Sequence, residues 1–188
     1  MQCDIKQYWD LTDGDVDAVY QHAVREKLLD RILYDAASSR ALFQLFARQA
    51  ECFCAVYAPA AASAGSAGSS RGFGRVPSDS PARPAGRNAG FFYLSHFEGA
   101  TARLHLALAG GEKREAAPPA LGFARQILDW CFATFEFKSL LTVSPAADES
   151  QARLWVDLGA APLAEVPGLC WLEKQKKTAP GRVFIVKG

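Results

Sequence analysis

Apolar residues recur along this chain with two periods, and the switches between them divide it into strands and helices. The clearest period-two stretch is Thr101 to Ala109. Ala102, Leu104, Leu106 and Leu108 fall on one side, and Thr101, Arg103, His105 and Ala107 on the other, which predicts a strand. Cys3 to Trp9, Cys52 to Ala58 and Phe91 to Phe97 predict further strands, the last ending in a Glu98-Gly99 turn. Leu140, Leu141 and Val143 form a short apolar run that predicts a strand covered on both faces. Leu163–Val166, Leu169–Glu173 and Arg182–Lys187 predict three more, the last two forming a hairpin around Thr178 to Gly181.

Helical spacing accounts for much of the remainder. Asp13 or Asp15 opens a helix reaching to about Leu33, with Val16, Val19, Tyr20, Ala23, Val24 and Leu28 inward. Ser38 or Ser39 opens a second, with Leu42, Leu45 and Phe46 on one face. Pro118-Pro119 starts a third, because proline suits the first helical turn; its stripe is Leu121, Ala124, Leu128, Cys131, Phe132 and Phe135. In a fourth, Asp148 and Gln151 make a capping-box-like start, Ala152, Trp155 and Val156 share a face, and Gly159 stands where a left-handed residue ends the helix.

Composition changes this picture in one place. Pro59 to Ala89 is built almost entirely from Ala, Gly, Ser, Pro and Arg. Such a segment buries too little apolar surface to offset its ordering entropy, so residues 59–89 are expected to be a mobile insertion within a single domain spanning 1–188. The net charge of +1 argues against bulk nucleic acid as a partner. The five cysteines lack metal-ligand spacing and mostly sit in apolar runs, as free thiols of a reducing compartment do. No basic leader and no run of membrane-spanning length is visible, so the expected location is cytoplasmic with no membrane partner.

The segment from Leu140 to Ala160 resembles the last βα unit of the GNAT superfamily of acyl-CoA-dependent N-acyltransferases. The family pattern N-x-x-A-x-x-x-Y-x-x-x-G-F is met here by Asp148, Gln151, Trp155, Gly159 and Ala160, of which only Gly159 is the family residue. The resemblance implies an α/β (α+β) fold, a mixed and mostly antiparallel central sheet flanked by about four helices. It looks closest to divergent phage and prophage members. It implies acetyl transfer from acetyl-CoA (or CoA as bound product) to a small-molecule or protein amine. Two other readings stay open: a catalytically inactive GNAT-fold binding or phage-assembly module, and an acyltransferase fed by acyl carrier protein. The terminal strands could pair across a homodimer.

The resemblance also assigns candidate residues. Leu106, Ala107 and Leu108 would hold the pantetheine arm through their backbone, and Lys113, Arg114 and Ala120 would meet the phosphates. The family's glycine-rich phosphate loop is not reproduced, since Pro118 and Pro119 lack N–H donors. His105 is the candidate acid–base group, able to take the ammonium proton of an acceptor; a hydrogen-bonded histidine on a sheet face is the plainer reading. His96 and Glu98 are alternatives near the turn. Trp155 holds the place of a tyrosine that protonates the leaving thiolate, and indole lacks a comparable acidic proton. Core packing is the plainer reading for Trp155.

Overall fold

The computed structural model describes residues 2–29, 39–59, 86–109, 118–172 and 177–188. Its elements in chain order are β1 (Asp4–Gln7), a 3-10 turn (Tyr8–Asp10), α1 (Asp13–Arg25), α2 (Arg40–Gln49), β2 (Cys52–Ala58), β3 (Arg87–Glu98), β4 (Thr101–Leu108), α3 (Pro118–Phe135), β5 (Ser139–Pro145), α4 (Glu149–Asp157), β6 (Ala161–Leu172) and β7 (Lys177–Lys187). The strands form one sheet in the order β1-β2-β3-β4-β5-β7-β6. Every neighbouring pair is antiparallel except β4 and β5. The expected mixed, mostly antiparallel sheet with helices on it is therefore present.

Local chemistry explains the element ends. The N-cap of α1 is Thr12, not Asp13 or Asp15: its hydroxyl accepts from Asp15 N–H while the Asp15 carboxylate accepts from Thr12 N–H, closing a capping box. The helix stops at Arg25, short of the expected Leu33. Lys27 takes φ 55°, and the N–H groups of Lys27 and Leu28 donate to Val24 and Ala23 carbonyls. That is a Schellman end built without glycine. Ser39 caps α2 as expected. Asp148 caps α4 and Gly159 follows it at φ 85°, both as expected.

Side chains from the sheet fill two cores. One face, with Cys52, Cys54, Val56, Phe92, Leu94, Leu104 and Leu106, is covered by Ile127 and Cys131 of α3 and Trp155 of α4. The other, with Phe53, Phe91, Tyr93 and Ala107, is covered by Val16 and Val19 of α1 and Phe43 of α2. The inward face of α2 is Phe43 and Ala47, whereas Leu42 and Leu45 of the expected face are 42% and 47% exposed. Phe43 wins because it meets Phe53 and Phe91 edge-on at 5.8 and 5.5 Å.

Three strand expectations are corrected. β3 begins at Arg87 rather than Phe91, so the last residues of the 59–89 segment belong to the sheet; its residues 60–85 lie outside the described residues. β6 is one strand broken in register between Val166 and Cys170, not two strands, and Thr178 to Gly181 lie within β7 rather than in a turn. β5 alternates: Leu140, Thr142 and Ser144 are buried while Leu141 and Val143 are less so.

Candidate active site

The sheet opens between its two parallel strands. β4 and β5 pair only at Thr101↔Ser139, Ala102↔Leu140 and Arg103↔Leu141. Both strands run on, β4 to Leu108 and β5 to Pro145. Beyond Arg103 each holds its other neighbour instead: β4 stays with β3 to Leu108, and β5 stays with β7 to Pro145. Two half-sheets thus diverge toward the carboxyl ends of the only parallel pair among the described residues, the region where open α/β sheets bind ligands.

The register decides which groups face this gap. Ala109 donates its N–H to the carbonyl of Ala89. Bonded positions recur at every second residue of an antiparallel pair. With Phe91↔Ala107 and Tyr93↔His105 in register, odd-numbered residues of β4 therefore spend their backbone groups on β3. Even-numbered ones turn theirs toward β5, as Ala100 does in accepting from Lys138 N–H at 2.8 Å. Leu106 and Leu108 so present N–H and C=O to the gap with no strand partner among the described residues. Ala107, the third backbone candidate, is engaged with Phe91 and does not face the gap.

Across the gap, β5 and α4 carry buried polar groups that the apolar reading of β5 missed. Thr142 and Ser144 are buried on the parity of Leu140. Ser144 Oγ, Gln151 Oε1 and Trp155 Nε1 are buried without a hydrogen-bond partner among the described residues. All three belong to the β5–α4 unit. An unpaired buried polar atom costs about 1–3 kcal/mol, a cost the fold carries here as it does at His22 Nε2 in α1. The legible signal was the alternation Leu140, Thr142, Ser144, hidden by the neighbouring Leu141 and Val143.

The remaining candidates separate. Trp155 is fully buried in the core beneath the sheet, which gives it the packing role. Ala120, buried at the start of α3, is the first residue of that helix to carry an N–H after Pro118 and Pro119. Lys113 and Arg114 lie outside the described residues. The Cys54 thiol is pushed up by its contact with Cys52, 3.7 Å away, and by burial, and burial pushes Cys131 up. Neither is a nucleophile at neutral pH. Among the described residues, no group of three His, Cys, Asp or Glu could hold a metal, and no helix is long and apolar enough to cross a membrane.

His105 lies past the last β4–β5 pair, on the α1–α2 face of the sheet. Its ring stacks on Tyr93, with centroids 4.1 Å apart and planes within 4°. Its Nε2 is 3.0 Å from Ser95 Oγ, which in turn is 2.9 Å from His96 Nδ1. Burial, then the nearby Arg103 and His96, pull its pKa down to about 3, so the resting ring is neutral.

No protein-family model matches the sequence, and no curated protein matches it. Solved structures do match the fold. A GNAT-family acetyltransferase from Bacillus anthracis superposes with a TM-score of 0.68 at 8% identity, covering 100% of this chain and 95% of that one. Spermidine N-acetyltransferase from Vibrio cholerae, in complex with CoA and spermine, gives 0.68 at 10% identity over 99% and 95%. Ribosomal-protein-S5-alanine acetyltransferase from Vibrio fischeri gives 0.65 at 9% over 100% and 93%. They lend no support to the phage-like placement. At these identities the likeness is one of architecture, and the architecture of this chain is the GNAT fold.

Proposed function

We propose that the protein is an acyl-CoA-dependent N-acyltransferase that moves an acetyl group to an amine. The observation that carries this reading is the gap between β4 and β5, with the unpaired backbone of Leu106 and Leu108 on one side and Ser144 and Gln151 in the β5–α4 unit across it. A pantetheine arm carries amides that match strand-like donors and acceptors, so these residues fit it. Bound acetyl-CoA would supply the activated acyl thioester. Leu106 and Leu108 hold the arm, the Ala120 N–H at the start of α3 faces the phosphate end, and Lys113 and Arg114 add charge there. His105 borders the gap on the opposite face of the sheet and takes a proton from the amine as it attacks. The acceptor is a small-molecule or protein amine.

Thermal shift with acetyl-CoA, free CoA and a phosphopantetheine fragment, paired with thiol release on a panel of primary amines, tests the proposal. Stabilisation by acetyl-CoA and by CoA, with amine-dependent thiol release, is expected. Absence of any shift with all three would overturn it. The full burial of Trp155, where the resemblance puts the leaving-group acid, favours a second reading, a CoA-binding module without turnover. A shift with acetyl-CoA but no thiol release on any amine would establish that one. A shift with the fragment alone would point to a carrier-protein donor.

A further inference from the structure

We infer that Ser95 and His96 form, with His105, a three-group proton relay that carries the acceptor's proton from the sheet face to solvent; this rests on the acyltransferase reading above. The backbone builds it. Along a regular strand Ser95 and His96 would point to opposite faces. Here the β3–β4 register breaks after Ser95↔Arg103 and resumes at Glu98↔Thr101, with one extra residue on β3. His96 sits in that irregularity at φ 55°, a conformation L side chains rarely adopt. The outcome is that consecutive side chains meet, Ser95 Oγ to His96 Nδ1 at 2.9 Å, with His105 Nε2 on the other side of the hydroxyl at 3.0 Å. His105 is partly buried and His96 is exposed, so the line runs from inside to outside.

The hydroxyl fixes the direction of transfer, because it has one proton to give. Before transfer, His105 carries its proton on Nε2 and donates to Ser95, and Ser95 donates to Nδ1 of a neutral His96. As the amine's N–H bond breaks, its proton joins His105 Nδ1. The Nε2 proton moves to Ser95 Oγ, and the Ser95 proton moves to His96 Nδ1. His96 becomes an imidazolium and returns the proton to water from Nε2. Charge ends on the exposed ring and never rests on His105, which is how a ring so poor at holding a proton can still serve as the base. Ser95 and His96 touch no substrate and are positioning residues. The groups facing the relay are Arg103 of β4, directly opposite Ser95, and Tyr93 of β3; α2 contributes the apolar Phe46, whose ring lies 4.8 Å from that of Tyr93.

The relay makes a prediction that needs no substrate. A charged His96 has both nitrogens protonated, so its Nδ1 must donate to Ser95. Ser95 must then donate to His105 Nε2, and His105 must hold its proton on Nδ1. The chain has three histidines, so ring nitrogen-15 spectra are assignable by single substitutions. Lowering pH until His96 is charged should drive His105 to the Nδ1–H tautomer in the native protein and in Ser95→Thr, but not in Ser95→Ala. A His105 tautomer that ignores the charge of His96, or coupling that survives in Ser95→Ala, overturns the relay whether or not the protein is an enzyme. In the kinetic arm, with acetyl-CoA and whichever tested primary amine supports thiol release, Ser95→Ala should lower kcat roughly 10- to 100-fold with little change in the KM for acetyl-CoA, and Ser95→Thr should restore it. An equal kcat in Ser95→Ala overturns the catalytic use of the relay. Thiol release with none of the amines overturns the acyltransferase reading instead, a result the tautomer arm cannot produce.

Discussion

His22 and His105 are held neutral by the fold, and this ties stability to pH. Burial lowers the pKa of His22, with Glu26 opposing and Arg25 and Arg87 reinforcing, and burial lowers that of His105 to about 3. In the unfolded chain both rings take up a proton near pH 6.5. Their contribution is complete above that value and is lost as pH falls, for His105 across the window down to about 3. The melting temperature should therefore fall between pH 7 and pH 4, and His105→Phe should make that fall shallower; an equal slope in the variant contradicts the assignment. Trp155 supplies a second prediction at this scale. It is fully buried, so Trp155→Tyr should cost about 1–3 kcal/mol through lost packing and a hydroxyl without a partner, read from the denaturant midpoint. A rise in turnover with unchanged stability would return Trp155 to the chemistry. The sequence already leaned to the core, because indole suits packing and lacks the acidic proton that the tyrosine position uses.

Elements were legible where their ends use signals visible in the residue type. Ser39, Asp148 and Gly159 could be read because serine, aspartate and glycine favour those conformations outright. The end of α1 was invisible, because a lysine takes the left-handed place. Lys27→Gly should therefore raise stability by about 1 kcal/mol, and Gly159→Ala should lower it by about 1–2 kcal/mol. Equal effects at the two sites would contradict this account of the helix ends. The face of α2 was misread for a different reason: Leu42, Leu45 and Phe46 share helical spacing as well as Phe43 and Ala47 do, and tertiary contacts decide between them. Phe43→Ala should cost about 3–5 kcal/mol and Leu45→Ala under about 1 kcal/mol. The reverse order would mean that α2 is rotated.

At the scale of the molecule, three residue pairs join two half-sheets, and the proposed site is what their divergence leaves open. The mixed, mostly antiparallel sheet followed from the resemblance over residues 140–160, but the site's working groups did not. Which backbone groups of β4 face the gap depends on its register with β3, and the Ser95–His96 contact depends on one extra residue in β3; neither leaves a mark in the hydrophobic pattern. Ala107 was grouped with Leu106 and Leu108 for that reason, and the register separates them. Amide NMR during a titration with acetyl-CoA tests this most directly. The largest shifts should fall on Leu106, Leu108, Ser144 and Gln151, with Ala107 moving less than either neighbour. Shifts confined to the β6–β7 hairpin, or none at saturating acetyl-CoA, would contradict it.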